Sequence, residues 1–176
     1  MIYVNDIARA LPGEKLKLFA DDTNLFISGI DKTAINNKCN ECLETLNNWS
    51  LANCLCMNSD KTNFMVFPSG KSNGITVLIN GHQIAQVHSS KYIGLYIDDD
   101  LKWKNHIEYI YGKLLRLVGI FYKIRNKLPL AVLKTIYFAF VHSHILYGIE
   151  LYANTGSTHL HKLLTLNNKL LRAQGV

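Results

Sequence analysis

A chain of 176 residues, 48% apolar with only three prolines, can bury a core and is too apolar to stay disordered. Its net charge of +6, with pI near 9.1, fits contact with a polyanion such as nucleic acid, and equally a merely basic globular domain. The first fifteen residues do not read as a signal peptide, and no other targeting peptide is visible, which leaves the compartment open between cytoplasm and nucleus.

The opening segment, MIYVNDIARAL, reads as the end of a helix already under way at residue 1. KLKLFADDTNLFISG is two apolar runs around a polar turn, which predicts a β-hairpin with Ala20, Asp21 and Asp22 at its tip. From Thr33 to about Leu51 the apolar positions Ile35, Cys39, Cys42, Leu43, Leu46 and Trp49 recur at steps of three and four, which is an amphipathic helix. The cysteines fall at 39, 42, 54 and 56, a spacing that resembles a metal site. Cys39 and Cys42 share the helix's apolar face, however, which favours buried thiols over zinc. LCMNSDKTNFMVF reads as strand, turn and strand about Asn58, Ser59 and Asp60. PSGKSNG is a loop, and ITVLINGHQIAQV is a hairpin about Asn80-Gly81, a pair suited to a type I′ turn. SKYIGLYID reads as one more strand.

The character changes near residue 100. Trp103, Ile107, Ile110, Leu114, Leu117 and Phe121 step by four, three, four, three and four, a sustained helical stripe over 102–125. Pro129 suits the first turn of a further helix reaching about Tyr147, and Ser157 is a candidate cap for a last, leucine-rich helix. The apolar window 128–153 contains Lys134, His142, His144 and Glu150, so it reads as a buried helix, with a membrane span as the lesser alternative. Trp49 and Trp103 are expected to pack in the core. The predicted class is α+β: residues 1–100 mixed, residues 101–176 all helical.

Two adjacent carboxylates repel, and removing them from water is costly unless a cation pairs with them. At a tight tip, Asp21 and Asp22 can face one Mg²⁺, a hard cation that takes carboxylates together with water and phosphate oxygens. On their own they read as a solvated turn, where Asp is common. The surroundings change that balance. FADDTNLF with YVNDI before it, WSLANCLCMNSDKTNFMVF, KYIGLYIDDDLKWKNHI, KIRNKLP, YGIELY and LNNKLLRAQGV resemble, in order and over nearly the whole chain, the reverse transcriptases of non-long-terminal-repeat retrotransposons.

The resemblance implies a two-metal nucleotidyl transfer onto a primer 3′ hydroxyl, with Mg²⁺ or Mn²⁺ held in a complete polymerase. RNA template, DNA primer and deoxynucleoside triphosphates are the implied partners, and neither a membrane nor a protein partner is. Asp21 and Asp22 correspond to the acidic pair of the palm, Asp21 being the stronger candidate ligand. Phe19 stands where the wider class often has Tyr. Lys61 matches a lysine that protonates departing pyrophosphate, and is otherwise a solvated turn residue. Tyr92, Ile93, Gly94 and Leu95 match the segment that grips the primer terminus, and otherwise form a half-buried strand. Tyr109, Lys113, Arg116, Lys123 and Lys127 make a basic stripe that tracks phosphates, or a plain solvated face.

The implied boundaries are the C-terminal part of the palm over 1–100 and a helical thumb with its downstream region over 101–176. The family's further palm aspartate, its glycine-rich nucleotide segment and its fingers have no counterpart here. Asp98, Asp99 and Asp100 match the approach to the thumb and do not replace that aspartate. The 176 residues alone are therefore expected to be inactive. The alternative is a non-catalytic nucleic-acid-binding remnant.

Overall fold

The computed structural model describes residues 4–68 and 74–173, an α+β chain of helices and four two-stranded sheets. It divides into two compact units, Met1–His88 and Ser89–Val176. The division precedes residue 100 because the last hairpin packs on the first helix of the second unit.

In the first unit a short 3₁₀ turn, Ile7–Ala10, leads into strands β1 (Lys15–Phe19) and β2 (Asp22–Phe26). Of the segment 1–11 expected to end a helix, the described part carries this 3₁₀ turn and no α-helix; Met1–Tyr3 lie outside the described residues. The β1–β2 pair is antiparallel, registered Leu16↔Leu25 and Phe19↔Asp22, and closed by Ala20 and Asp21 alone. Helix α1 runs Lys32–Ala52. Asp31 caps it, its side-chain oxygen accepting the Ala34 N–H at 2.7 Å, which satisfies one of the donors that a helix start leaves open. One side of α1, Cys42 and Leu46, packs with Ile7, Leu11, Leu16 and Leu25. Another side, Ile35, Cys39 and Leu43, packs against Ile75, Val77, Ile79 and Ile84. Burial raises the Cys39 and Cys42 thiols above their ordinary pKa; both stay free and un-ionised, as core thiols do.

The segment after the 58–62 turn forms little ladder. β3 (Asn63–Phe64) pairs in parallel with β6 (Ala85–Gln86), and no strand precedes the turn. β4 (Leu78–Ile79) and β5 (His82–Gln83) make the expected hairpin, with Asn80 and Gly81 both at positive φ, 51° and 77°. Side-chain amides of α1 supply much of its remaining pairing. Asn36 Oδ1 accepts the Thr76 N–H at 2.8 Å, Asn40 Oδ1 accepts the Leu78 N–H at 2.9 Å, and Asn40 Nδ2 donates to the Thr76 carbonyl at 3.0 Å.

In the second unit the expected single strand SKYIGLYID is instead a hairpin, β7 (Ser89–Tyr92) and β8 (Leu95–Asp98), folded at Ile93 and Gly94. Helix α2 (Lys104–Ile124) comes next. α3 (Leu130–Tyr137) continues through a five-residue π-helical stretch, Phe138–His142, into α4 (Ser143–Leu146). α5 spans Ile149–Tyr152 and α6 Ser157–Arg172, with Gly156, not Ser157, at the capping position. Ile107, Ile110, Leu114 and Phe121 of α2 bury their stripe against Leu163, Leu166 and Leu170 of α6 and Tyr137 and Val141 of the α3 segment. Each such large apolar side chain contributes about 1.5–3 kcal/mol. Trp49 and Trp103 both pack against core clusters. Among the described residues no helix is long and apolar enough to cross a membrane.

Candidate functional site

The acidic pair sits where a two-residue turn forces it. Asp21 occupies the second turn position and Asp22 opens β2 opposite Phe19. Ala20 holds φ at +54°, the left-handed region that favours glycine. Both carboxylates are exposed to water. Phe19 and Phe26 flank them, each about half exposed at 54% and 49%. Carboxylate oxygens are the kind of donor that hard divalent cations take, with water or phosphate completing the shell. Among the described residues no group of three or more His, Cys, Asp or Glu side chains converges on one metal position. The tip thus offers two exposed carboxylate side chains and no third such ligand in a cluster with them among the described residues.

Lys61 lies in the turn after α1. Asn58 builds this turn: its Oδ1 accepts the Lys61 N–H at 3.1 Å and its carbonyl accepts the Thr62 hydroxyl at 2.7 Å. The lysine side chain is exposed. Met57, just before the turn, packs with the residues of both α1 core clusters, one of which includes Leu16 and Leu25 of the acidic hairpin. The acidic hairpin and the lysine turn are thus both anchored on α1.

The aspartate run 98–100 is committed to structure. Asp98 is buried and its carboxylate accepts Asn105 Nδ2 at 2.7 Å and the Asn105 N–H at 3.3 Å, which caps α2 from outside. Asp100 pairs with Lys102 at 3.0 Å, and that ammonium lowers its pKa.

In the second unit the sequence-selected residues fall into two groups. Gly94, Tyr109 and Lys113 line one cleft of about 260 Å³ together with Lys91, His144 and Tyr147. Ile93 and Gly94 both have positive φ, 46° and 79°, which folds the hairpin back on itself. Tyr147 holds the turn: its Oη donates to the Ile93 carbonyl at 2.6 Å, and its ring lies so close over Gly94 that an added Cβ would stand 3.2 Å away. Lys113 Nζ is 4.5 Å and Lys91 Nζ 5.9 Å from the Tyr109 ring centre. The Lys113 ammonium beside Tyr109 holds that phenol below its usual pKa. Tyr92 is half-buried on β7, next to this turn. Arg116 and Lys123 continue the exposed face of α2, and Lys127 lies beyond its end. Tyr147, Lys91 and His144 were not apparent in the sequence. Tyr147 is 54 residues from its carbonyl partner, and no spacing signals so distant a contact.

No protein-family model and no solved structure matches the chain. Curated relatives do. The chain is 26% identical over 172 residues to the RNA-directed DNA polymerase from mobile element jockey of Drosophila funebris, covering 96% of the chain and 19% of the relative. It is 27% identical over 158 residues to the jockey polymerase of Drosophila melanogaster, covering 88% and 17%. It is 24% identical over 130 residues to the Pol polyprotein of type-1 retrotransposable element R1 of Bradysia coprophila, covering 72% and 13%. The chain thus spans less than a fifth of the length of these relatives.

Proposed function

Because its homologues are RNA-directed DNA polymerases of non-long-terminal-repeat retrotransposons, we propose that this chain is the part of such an enzyme that holds the acidic palm hairpin and the thumb. Residues 1–100 are assigned to the C-terminal part of the palm, and residues 101–176 to the helical thumb and its downstream region. The observation that carries the assignment is the tight hairpin tip with Asp21 and Asp22 both facing solvent.

Asp21 and Asp22 hold the divalent cations, Mg²⁺ or Mn²⁺, in the complete polymerase. The bound cations supply neutralisation of the charge that builds up on the triphosphate during transfer. The primer 3′ hydroxyl gives up its proton to water as its oxygen bonds to the α-phosphorus, the bond to the bridging oxygen breaks, and pyrophosphate departs. Lys61, positioned by the Asn58 turn, gives that leaving group its proton. Tyr92 and Gly94 grip the primer terminus. Tyr109, Lys113, Arg116, Lys123 and Lys127 follow the phosphates of the RNA template and its DNA primer without reading sequence.

The test is nucleotide incorporation on primed RNA with Mg²⁺. A retrotransposon polymerase carrying these 176 residues as its palm-to-thumb segment is active, and Asp21→Asn reduces its rate by a factor of at least about 10³, as expected when a transition-state charge partner is lost. The 176 residues alone do not incorporate nucleotide, since no residue in them matches the family's further palm aspartate. Full activity after Asp21→Asn would refute the assignment.

A second reading, a nucleic-acid-binding module without catalysis, is favoured by one observation. The basic cleft at Lys91 and Lys113 is built wholly within the second unit, around a core of its own. Salt-sensitive binding of an RNA–DNA hybrid by the chain, with no gain of activity in the longer polymerase, selects that reading.

A further inference from the structure

A second basic surface lies on the other flank of the helical unit. At 100° per residue Tyr122 is turned about 140° around α2 from the Tyr109–Lys127 stripe. There it faces α6, where Thr165, Asn168, Lys169 and Arg172 succeed each other along one side. These five residues line an open groove of about 460 Å³, within the roughly 300–1,000 Å³ that small-ligand sites occupy. Tyr122 is 44% exposed and gives the groove a flat aromatic wall; the Arg125 guanidinium, which does not line the groove, lies over the ring, 5.0 Å from its centre.

The groove's charge is unopposed. The second unit, residues 89–176, carries twelve lysines and arginines against five acidic side chains, Asp98, Asp99, Asp100, Glu108 and Glu150. Glu108 is already paired with Lys162 at 2.8 Å. Among the described residues no carboxylate lies within ion-pair distance of Lys169 or Arg172. A hydrophobic partner would not select this lining, and a double helix offers its bases edge-on, out of reach of a ring. Two cations beside an exposed aromatic are what a single strand recognises, its backbone on the charges and a base on the ring.

We propose that the Tyr122–Arg172 groove binds single-stranded nucleic acid, with Lys169 and Arg172 on its phosphates and Tyr122 stacked against a base. This goes beyond the polymerase assignment and is independent of the acidic hairpin.

The test is fluorescence anisotropy of a labelled 12-nucleotide oligo(dT), and of the matching oligo(U), with the full 176-residue chain at several salt concentrations. Lys169→Gln with Arg172→Gln flattens the salt slope by about 1.4, two single-strand phosphate contacts at about 0.7 each. Tyr122→Leu weakens binding about tenfold or more at fixed salt, and Tyr122→Trp restores it. On the wild-type chain, which has no folding question, amide resonances of residues 165–172 shift as oligo(dT) is added. An unchanged slope in the groove double variant, Tyr122→Leu binding like wild type, unshifted 165–172 resonances, or poly-glutamate bound as tightly as oligo(dT), overturns the proposal. None of these outcomes bears on metal-dependent incorporation by the longer polymerase.

Discussion

Replacing Gly94 by alanine tests how the β7–β8 turn is built. At φ +79° a residue with a Cβ is strained, at a cost of about 1–2 kcal/mol. The new methyl would also stand 3.2 Å from Tyr147 Cε1 and 3.5 Å from its hydroxyl. The ring, 51% exposed, has room to move away, but moving it gives up the 2.6 Å bond from its Oη to the Ile93 carbonyl, a further loss of about 1 kcal/mol. The sum is about 2–3 kcal/mol. The chain has two tryptophans, and only Trp103 lies in the second unit, so in a Trp49→Phe background its fluorescence reports that unit alone. With a urea slope of about 2 kcal/mol/M, the unfolding midpoint drops by about 1 M or more. In a Tyr147→Phe background the hydrogen bond is already gone, and the cost of Gly94→Ala shrinks to the backbone part, about 1–2 kcal/mol. A midpoint that does not move refutes the strain argument. An identical cost in both backgrounds refutes the role given to Tyr147.

At the acidic tip, Ala20→Gly relieves the left-handed strain at φ +54° and raises the stability of the first unit by about 1 kcal/mol, read from Trp49 fluorescence in a Trp103→Phe background; a loss of stability would contradict the turn geometry. Asn40→Ala deletes two bonds to the 76–78 segment and costs the same unit about 2 kcal/mol, with faster amide exchange at Leu78. His106 is buried, and burial lowers its pKa below 6.5 although Asp98 opposes the shift; burial and Lys113 lower His144 as well. Unfolding relieves both, so the unfolded chain takes up protons that the folded one resists. Stability of the second unit is then full above about pH 6.5 and falls as the pH drops below it. Urea midpoints at pH 8 and 5.5 measure the fall, and His106→Gln makes it shallower. Leu114→Ala, at a fully buried site of α2, costs about 3–4 kcal/mol in the same assay.

The elements carried by periodicity were legible. The α1 and α2 stripes predicted helices at 33–51 and 102–125, and the helices run Lys32–Ala52 and Lys104–Ile124. Asn80-Gly81 announced its hairpin because both residues tolerate positive φ. Ile93-Gly94 concealed one. A β-branched residue is poorly suited to φ +46°, so the run read as a single strand, and what stabilises the turn is a tyrosine 54 residues away. The strand expected before Asn58 is absent because that segment is tied to α1: the Leu55 N–H donates to the Ser50 carbonyl at 2.8 Å and Met57 packs with both α1 clusters. Much of the pairing of the 76–78 backbone comes from Asn36 and Asn40 of a helix, and side-chain amides leave no period-two signature. At the candidate site the acidic tip was visible as an Asp-Asp turn. The cleft at Gly94, Tyr109 and Lys113 was visible only as separate residues, and its wall at Tyr147 was not visible at all.

The central claim is that Asp21 and Asp22 are placed to hold divalent cations, and paramagnetic broadening by Mn²⁺ tests it without any need for catalysis. Added to the isotope-labelled 176-residue chain at low concentration, Mn²⁺ is predicted to broaden the amide resonances of residues 19–23 first. Mg²⁺ should compete for the effect, and Asp21→Asn combined with Asp22→Asn should abolish it. Broadening that spares the hairpin tip, or that centres on residues 98–100, would contradict the account.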